Sequence, residues 1–304
     1  MGKFVGLRLV QAVATLVVAS FVVFTLGRVT GNPVDTMLPI EASAKDREAF
    51  ILRLGLNRPV VVQYWIYLKD VARGDFGTSL RTNLPVTALV GEYLRNSLAL
   101  ASVAMLFVML VSIPLGIVAA VWRGRVWDRL ATSVALLGQA VPPFWSGIIG
   151  VMLFGVFLGW LPTAGMGGWQ HYVLPATTMG FTVMAGVVRL LRSSMLEVLE
   201  ADYVKLARMK GLGEGAVIWK HAARNALIPV VTYVGFMYGL IVAAAVTTEV
   251  VFSWPGLGRA TYEALLTRDF PLLQFAVMTW AGLIIGINFL VDLTYLVLDP
   301  RIRL

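Results

Sequence analysis

The sequence has no cysteine and only two histidines in 304 residues. Without thiols there is no disulfide framework, no Cys-rich metal site, no iron–sulfur cluster and no thiol nucleophile. Charge is scarce too: Asp, Glu, Lys and Arg make up 14% of the chain, against about 25% in soluble domains. With 58% apolar residues, too few polar side chains remain to cover a soluble fold of this length. Disorder and collagen-like structure fall to the same arithmetic. Enzymatic motifs are missing as well. There is no Gly-x4-Gly-Lys-[Ser/Thr] phosphate loop, no His-Glu-x-x-His and no Gly-x-Ser-x-Gly. His171 and His221 read as surface residues rather than metal ligands. Catalysis within this chain is not expected, and what remains is an all-α polytopic membrane protein.

Apolar stretches place six spans, at residues 9–26, 97–122, 130–160, 174–191, 226–252 and 272–298. Each is long enough for a hydrocarbon core about 30 Å thick at 1.5 Å rise per residue. The third is too long for one straight crossing. Pro142-Pro143 in its middle must break or kink it, so one bent span is expected. Half-length pieces could not each satisfy their backbone ends in lipid.

Orientation follows from the basic residues. The N-terminal start, the 123–129 connection, the 189–225 connection and the tail hold fourteen of the 25 Lys and Arg. The opposite short loops hold only Arg259 and Arg268. By the positive-inside bias, both termini and the 189–225 connection are cytoplasmic. The net charge of +8 is then mostly a topology signal, and no nucleic acid is called for. The first span is expected to stay as an uncleaved anchor, because its apolar run exceeds a signal-peptide core.

Two polar segments stand out. The outer one, 29–96, contains Ser43-Ala44-Lys45-Asp46 as a capping box for a short helix closed by Gly55. Pro59 suits a first helical position. Val60, Val61, Tyr64, Trp65, Leu68 and Val71 then recur at helical spacing as far as Gly74. This segment is either a cap on the outer membrane face or a docking surface for a soluble partner, and the two are compatible. The inner one, 192–225, carries an apolar stripe of Leu196, Leu199, Tyr203 and Leu206 with cationic residues at its end. Gly211 suits a left-handed cap, and Gly213 and Gly215 loosen the turn. A second helix over 216–225 leads into the fifth span, with Pro229 in that span's first turns. The result is a helix–turn–helix elbow that either docks another protein or rests on the bilayer. Within the spans the acids are Glu249 and Asp292. Both lie near an interface, where snorkelling or pairing accounts for them better than ion coupling.

The run Asp202-Tyr203-Val204-Lys205-Leu206-Ala207-Arg208-Met209-Lys210-Gly211, followed by His221-Ala222-Ala223-Arg224-Asn225-Ala226-Leu227-Ile228-Pro229, closely resembles the cytoplasmic signature of permeases from bacterial ATP-binding-cassette importers. The dipeptide/oligopeptide/nickel branch is the nearest. Glu249–Arg259, Arg268-Asp269-Phe270-Pro271, Asp299–Arg303, Leu54-Gly55-Leu56, Gln63-Tyr64 and Arg73–Leu80 resemble the same branch, so nearly the whole chain is covered. The long outer segment resembles the first of the two permeases in such systems. Against the general importer signature only Ala207 and Gly211 match, and Asp202 is the nearest acid to the usual glutamate.

This resemblance implies the type I importer permease fold, organised as an anchor helix (1–28), an extracytoplasmic helical segment (29–96) and a core with five spans (97–304). It implies a multi-pass place in the bacterial cytoplasmic membrane. Its partners would be a second homologous permease, one or two cytoplasmic ATPases that bind ATP and Mg, an extracytoplasmic binding protein and membrane lipid. The ATPase-coupling loop would comprise Asp202, Tyr203, Ala207, Arg208, Lys210, Gly211, Leu212 and Arg224. The default cargo is a small peptide. No pathway-lining residue is assigned, and no cofactor is expected in this chain. The rival reading is an ATP-independent channel or ion-coupled carrier, which would need acids at the membrane midplane and no elbow.

Overall fold

A computed structural model describes residues 2–29, 34, 38, 43–53 and 55–298; the side chains of 2–5, 7, 53, 288 and 290–298 are outside the described set. Asp292 as a functional group, Leu54 and the Asp299–Arg303 tail therefore lie outside the described residues. In chain order the helices are α1 (Gly2–Val29), α2 (Ala44–Arg53), α3 (Val60–Ala72), α4 (Val86–Val121), α5 (Val126–Ala140) and α6 (Pro143–Phe157). They continue as α7 (Gln170–Leu199), α8 (Asp202–Met209), α9 (Glu214–Val251), α10 (Leu257–Leu266) and α11 (Phe270–Leu298). Five of these, α1, α4, α7, α9 and α11, are long and apolar enough to cross a membrane.

The sixth candidate crossing is the pair α5 and α6, bent by 104° at Val141-Pro142. The two residues at the break are extended, with ψ of 129° and 135°. Pro143 cannot donate to the turn before it, and a proline pushes its predecessor out of the helical region. Each arm has 15 residues, about 22 Å, and is too short to cross alone.

The described chain forms two compact units, 1–96 with 255–304, and 97–254. In the first, α1 packs on α11, and α3 lies on α1. Tyr64 hydrogen-bonds Ser20 at 2.9 Å and meets Phe21 and Phe24 edge-on. The Arg28 guanidinium stacks 3.4 Å over the Phe24 ring while its Nε donates to Gln63 at 2.6 Å. Burial pushes the Tyr67 phenol up to about 12, with Tyr64 adding to the effect, so at neutral pH it is an uncharged hydroxyl. Ser43 caps the helix as expected, Asp46 N–H donating to Ser43 Oγ at 3.2 Å, while the Asp46 carboxylate accepts from the Ser43 hydroxyl at 2.7 Å. Gly55 ends that stretch at φ +65°. Pro59 stands one residue before the helix rather than inside it. Two separated motif stretches meet at Asp269, which is buried and accepts from Ser79 Oγ and from Leu80 N–H.

In the second unit, α7 is the central helix, packed by α5, α6 and α9. Ala135, Met184, Ala185 and Val188 form a buried cluster closed by Val111, Leu115 and Phe181. Small residues matter here because lipid supplies no hydrophobic drive between helices, and association depends on close packing. Glu249 is fully buried and accepts a hydrogen bond from Ser97 Oγ. Pairing rather than snorkelling accounts for it. At the other end Asp128, also buried, receives two bonds from Arg192 (2.7 and 2.8 Å) and one from the Gly124 N–H (2.9 Å). This clamp between α5 and α7 was not signalled by the sequence. His171 and His221 are half-buried rather than at the surface, and His171 Nδ1 has no hydrogen-bond partner among the described residues.

The α5–α7 contact gives a direct test. A Cβ on Gly138 would sit 2.6 Å from the Phe181 carbonyl oxygen, a backbone atom that cannot step aside, whereas nothing lies within 4 Å of a Cβ on Gly235. Gly138→Ala is expected to destabilise the protein by about 1–3 kcal/mol, and Gly235→Ala to leave it unchanged or slightly stabilised. Thermal inactivation in detergent checks the contrast, and equal melting of the two variants would refute the packing.

Candidate functional site

The elbow is built from the end of α7, all of α8 and the start of α9. Helix α7 runs unbroken to Leu199, so the fourth span and the first limb of the elbow are one helix. The chain then breaks at Ala201, which is extended (φ −69°, ψ 146°), and restarts at Asp202. A carboxylate in the first turn of α8 is favourable there. This break corrects the continuous stripe expected from Leu196 to Leu206. The residues that turn inward on α8 are Val204 and Ala207, packed with Val217, Val198 and Leu199. Tyr203 and Leu206 remain exposed at 43% and 48%.

Helix α8 closes in a Schellman turn. Gly211 N–H donates to Arg208 O at 2.9 Å and Leu212 N–H to Ala207 O at 3.4 Å, the paired bonds of that motif. Gly211 itself is at φ +77°, a conformation in which a Cβ crowds its own backbone. Gly213 instead adopts an extended cap conformation before α9. That helix begins at Glu214 and widens into π-helical turns at Val217–Ala222 before running on to Val251. Pro229 is therefore inside a continuous helix rather than at its start, as spanning helices tolerate when neighbours satisfy the freed carbonyl.

Polar contacts brace the turn. Arg208 bridges to Glu214 at 2.8 and 3.5 Å, and Asn225 donates to Tyr203 Oη at 2.7 Å, tying α8 to α9. Asp202 pairs with Lys205 at 3.1 Å in full solvent, which contributes little to stability. Of the eight coupling-loop residues expected from sequence, Ala207 is buried and structural, and Arg208 and Tyr203 are held by internal partners. Lys210 caps α8, Gly211 makes the turn, and Leu212 and Arg224 are exposed. Sequence reasoning missed Val204, Val217, Glu214 and Asn225. The Arg208–Glu214 and Tyr203–Asn225 spacings cross a turn and match no helical periodicity, so no local rule could have paired them. The elbow also presents Leu206, Met209 (77% exposed), Leu212 and Trp219 (59% exposed) to its surroundings.

Set beside known proteins, residues 112–304 match the family described as "Binding-protein-dependent transport system inner membrane component", and residues 1–113 match the N-terminal part of such components. The chain belongs to this permease family. Similar curated proteins include the dipeptide transport system permease DppB of Alkalihalophilus pseudofirmus, 39% identical over 97% of this chain and 98% of that one. The glutathione transport system permease GsiC of Salmonella paratyphi A is likewise 39% identical, over 97% of each chain. In fold, a chain of the inward-facing methionine ABC transporter MetNI aligns with a TM-score of 0.59 over 71% of this chain and 98% of its own, at 16% identity. A chain of an amino acid ABC transporter aligns at 0.52 over 68% and 93%, at 14% identity. The permease is a multi-pass inner-membrane component of an ATP-binding-cassette importer. Its family assigns it a transport role rather than a catalytic one, and the reading as an ATP-independent carrier is set aside.

The Schellman turn is open to test, because a Cβ at Gly211 meets nothing within 4 Å, leaving only the backbone cost. Gly211→Val should weaken the turn by about 1–2 kcal/mol. In permease-containing membranes, trypsin cleavage at Arg208 and Lys210 is then expected to speed up roughly tenfold. Gly211→Asn, tolerant of the left-handed region, should stay near the parent rate. Equal cleavage in all three would contradict a native left-handed turn.

Proposed function

We propose that this permease takes up a small peptide handed over by a binding protein, and that its elbow is the coupling point for a separate ATPase. A second, homologous permease completes the pathway, and ATP and Mg are bound by the ATPase subunits alone. Both termini and the elbow face the cytoplasm, as the Lys and Arg distribution indicates. The observation that carries the reading is the elbow's construction, with a buried Val204–Ala207–Val217 interior and an apolar tip of Leu206, Met209 and Leu212 left exposed. A segment that merely rested on lipid would not need an ion-paired, hydrogen-bonded frame across its turn. Asp202, Tyr203, Ala207, Arg208, Lys210, Gly211, Leu212 and Arg224 make up the coupling loop, with Arg208, Tyr203 and Ala207 bracing it from within.

ATP-driven closure of the ATPases moves the elbow, and the permeases turn outward to receive cargo. Such a shift requires contact energy that differs between the two states, and only a stiff elbow conveys it to α7 and α9. Relatives named for dipeptide and for glutathione transport support a small peptide as the cargo class.

The test begins with gentle extraction of the tagged permease and mass spectrometry of what accompanies it. An ATPase and a second permease are expected, and the chain alone or as a homo-oligomer would contradict the proposal. In the reconstituted complex, Gly211→Val is expected to retain ATP hydrolysis but lose most peptide uptake. Uptake at the parent rate would remove the elbow from the coupling path.

A further inference from the structure

We propose that the tight turn between α4 and α5 is a binding site for an anionic phospholipid head group. The turn occupies residues 122–125, and the site continues through the first residues of α5 to Arg129. The turn's backbone is reversed by Gly124 at φ +76°, which brings the indoles of Trp122 and Trp127 to 5.8 Å between ring centroids. Together with Gly124, Arg125, Val126 and Arg129 they line a recess of about 500 Å³. Trp122, Val126 and Trp127 are 41%, 66% and 54% exposed, a costly display of apolar surface in water and a favourable one at a membrane boundary.

The charge balance of the turn decides the ligand class. Asp128 is the only acid between residues 122 and 130. Its carboxylate is buried and already taken up by Arg192 and the Gly124 N–H. Arg123 meets Glu200 only at 3.9 Å, with both side chains mostly exposed. Among the described residues Arg125 and Arg129 have no acidic partner. Two guanidinium groups without counter-ions, flanked by two indoles, fit a phosphodiester: paired N–H donors suit its oxygens, and the aromatic rings sit at head-group depth. Free phosphate would satisfy the arginines but leave the indoles and Val126 in water. A zwitterionic lipid would bring its own cation into the basic recess.

The site does not depend on the importer reading. Only its assignment to the cytoplasmic leaflet rests on the proposed orientation, and a measurement in detergent is indifferent to which leaflet is involved. The Asp128–Arg192 clamp joins this turn to the helix that carries the elbow, so a lipid held here lies next to the base of the coupling segment.

The experiment is native mass spectrometry of the full chain in mild detergent, titrated with phosphatidylglycerol or phosphatidylcholine. Phosphatidylglycerol is expected to be retained preferentially. Arg125→Gln with Arg129→Gln should weaken it about thirtyfold, the two basic residues near a lipid surface together contributing on the order of 2 kcal/mol, while phosphatidylcholine binding stays unchanged. Lys205→Gln with Lys220→Gln, which removes the same charge elsewhere, should have no such effect. Millimolar inorganic phosphate should not displace the lipid. Arg129→Glu alone gives a second, independent reading in the same direction. Equal weakening by the two double variants would reduce the effect to net charge and overturn the site. So would displacement by phosphate, or unchanged lipid retention in the arginine variants.

Discussion

The packing of Val204 and Ala207 on Val217, with Val198 and Leu199 beneath them, is the contact on which the functional account depends. The chain between α7 and α9 is interrupted twice, at extended Ala201 and at the Gly211–Gly213 turn. Two interruptions around an eight-residue helix would leave it swinging if nothing filled the space between its ends. Burying a valine against apolar neighbours is worth about 1.5–3 kcal/mol. Val204 and Val217 are both fully buried, and together they turn three short pieces into one body. The Schellman bonds and the Arg208–Glu214 bridge add direction to that packing rather than much energy.

That body is continuous with two membrane-crossing helices. One end of it is the last turn of α7, and the other is the first turn of the 38-residue α9. The Asp128–Arg192 pair fixes the base of the first limb to α5. Because Asp128 is buried and Arg192 only partly exposed, removing either partner would leave an uncompensated charge, the costly case for such pairs. A force applied at the exposed tip therefore has a stiff route into α7 and α9. Elsewhere, the scarcity of charge that made the sequence unsuitable for water makes its helices soluble in lipid, and close approaches such as Gly138 on the Phe181 backbone supply the packing that water would otherwise drive.

Much of this is legible in the sequence. Hydropathy located the spans, the Pro142-Pro143 pair located the break in the third, and the Ser43 cap, Gly55 and Gly211 behaved as their residue types require. Hydropathy windows end where polarity begins, so they do not show that α4 starts at Val86, that α7 extends through Leu199, or that the 216–225 helix and the fifth span are one continuous α9. Spacing fails at the elbow because the apolar stripe from Leu196 to Leu206 runs through Ala201, where the chain is extended, so it does not single out Val204 and Ala207 as the residues that pack inward. Pairs that bridge distant helices, such as Asp128 with Arg192 and Ser97 with Glu249, leave no periodic trace in one sequence. They follow from tertiary packing alone.

The claim that the elbow is an ATPase docking point has one direct measurement. The chain has no cysteine, so Met209→Cys places a unique thiol on the most exposed apolar residue of the elbow. A short bifunctional reagent applied to the assembled complex then reports what lies against it. The account predicts a crosslink to the ATPase whose yield changes when ATP is added. A thiol that is labelled freely but crosslinks to no ATPase, with or without ATP, would contradict it.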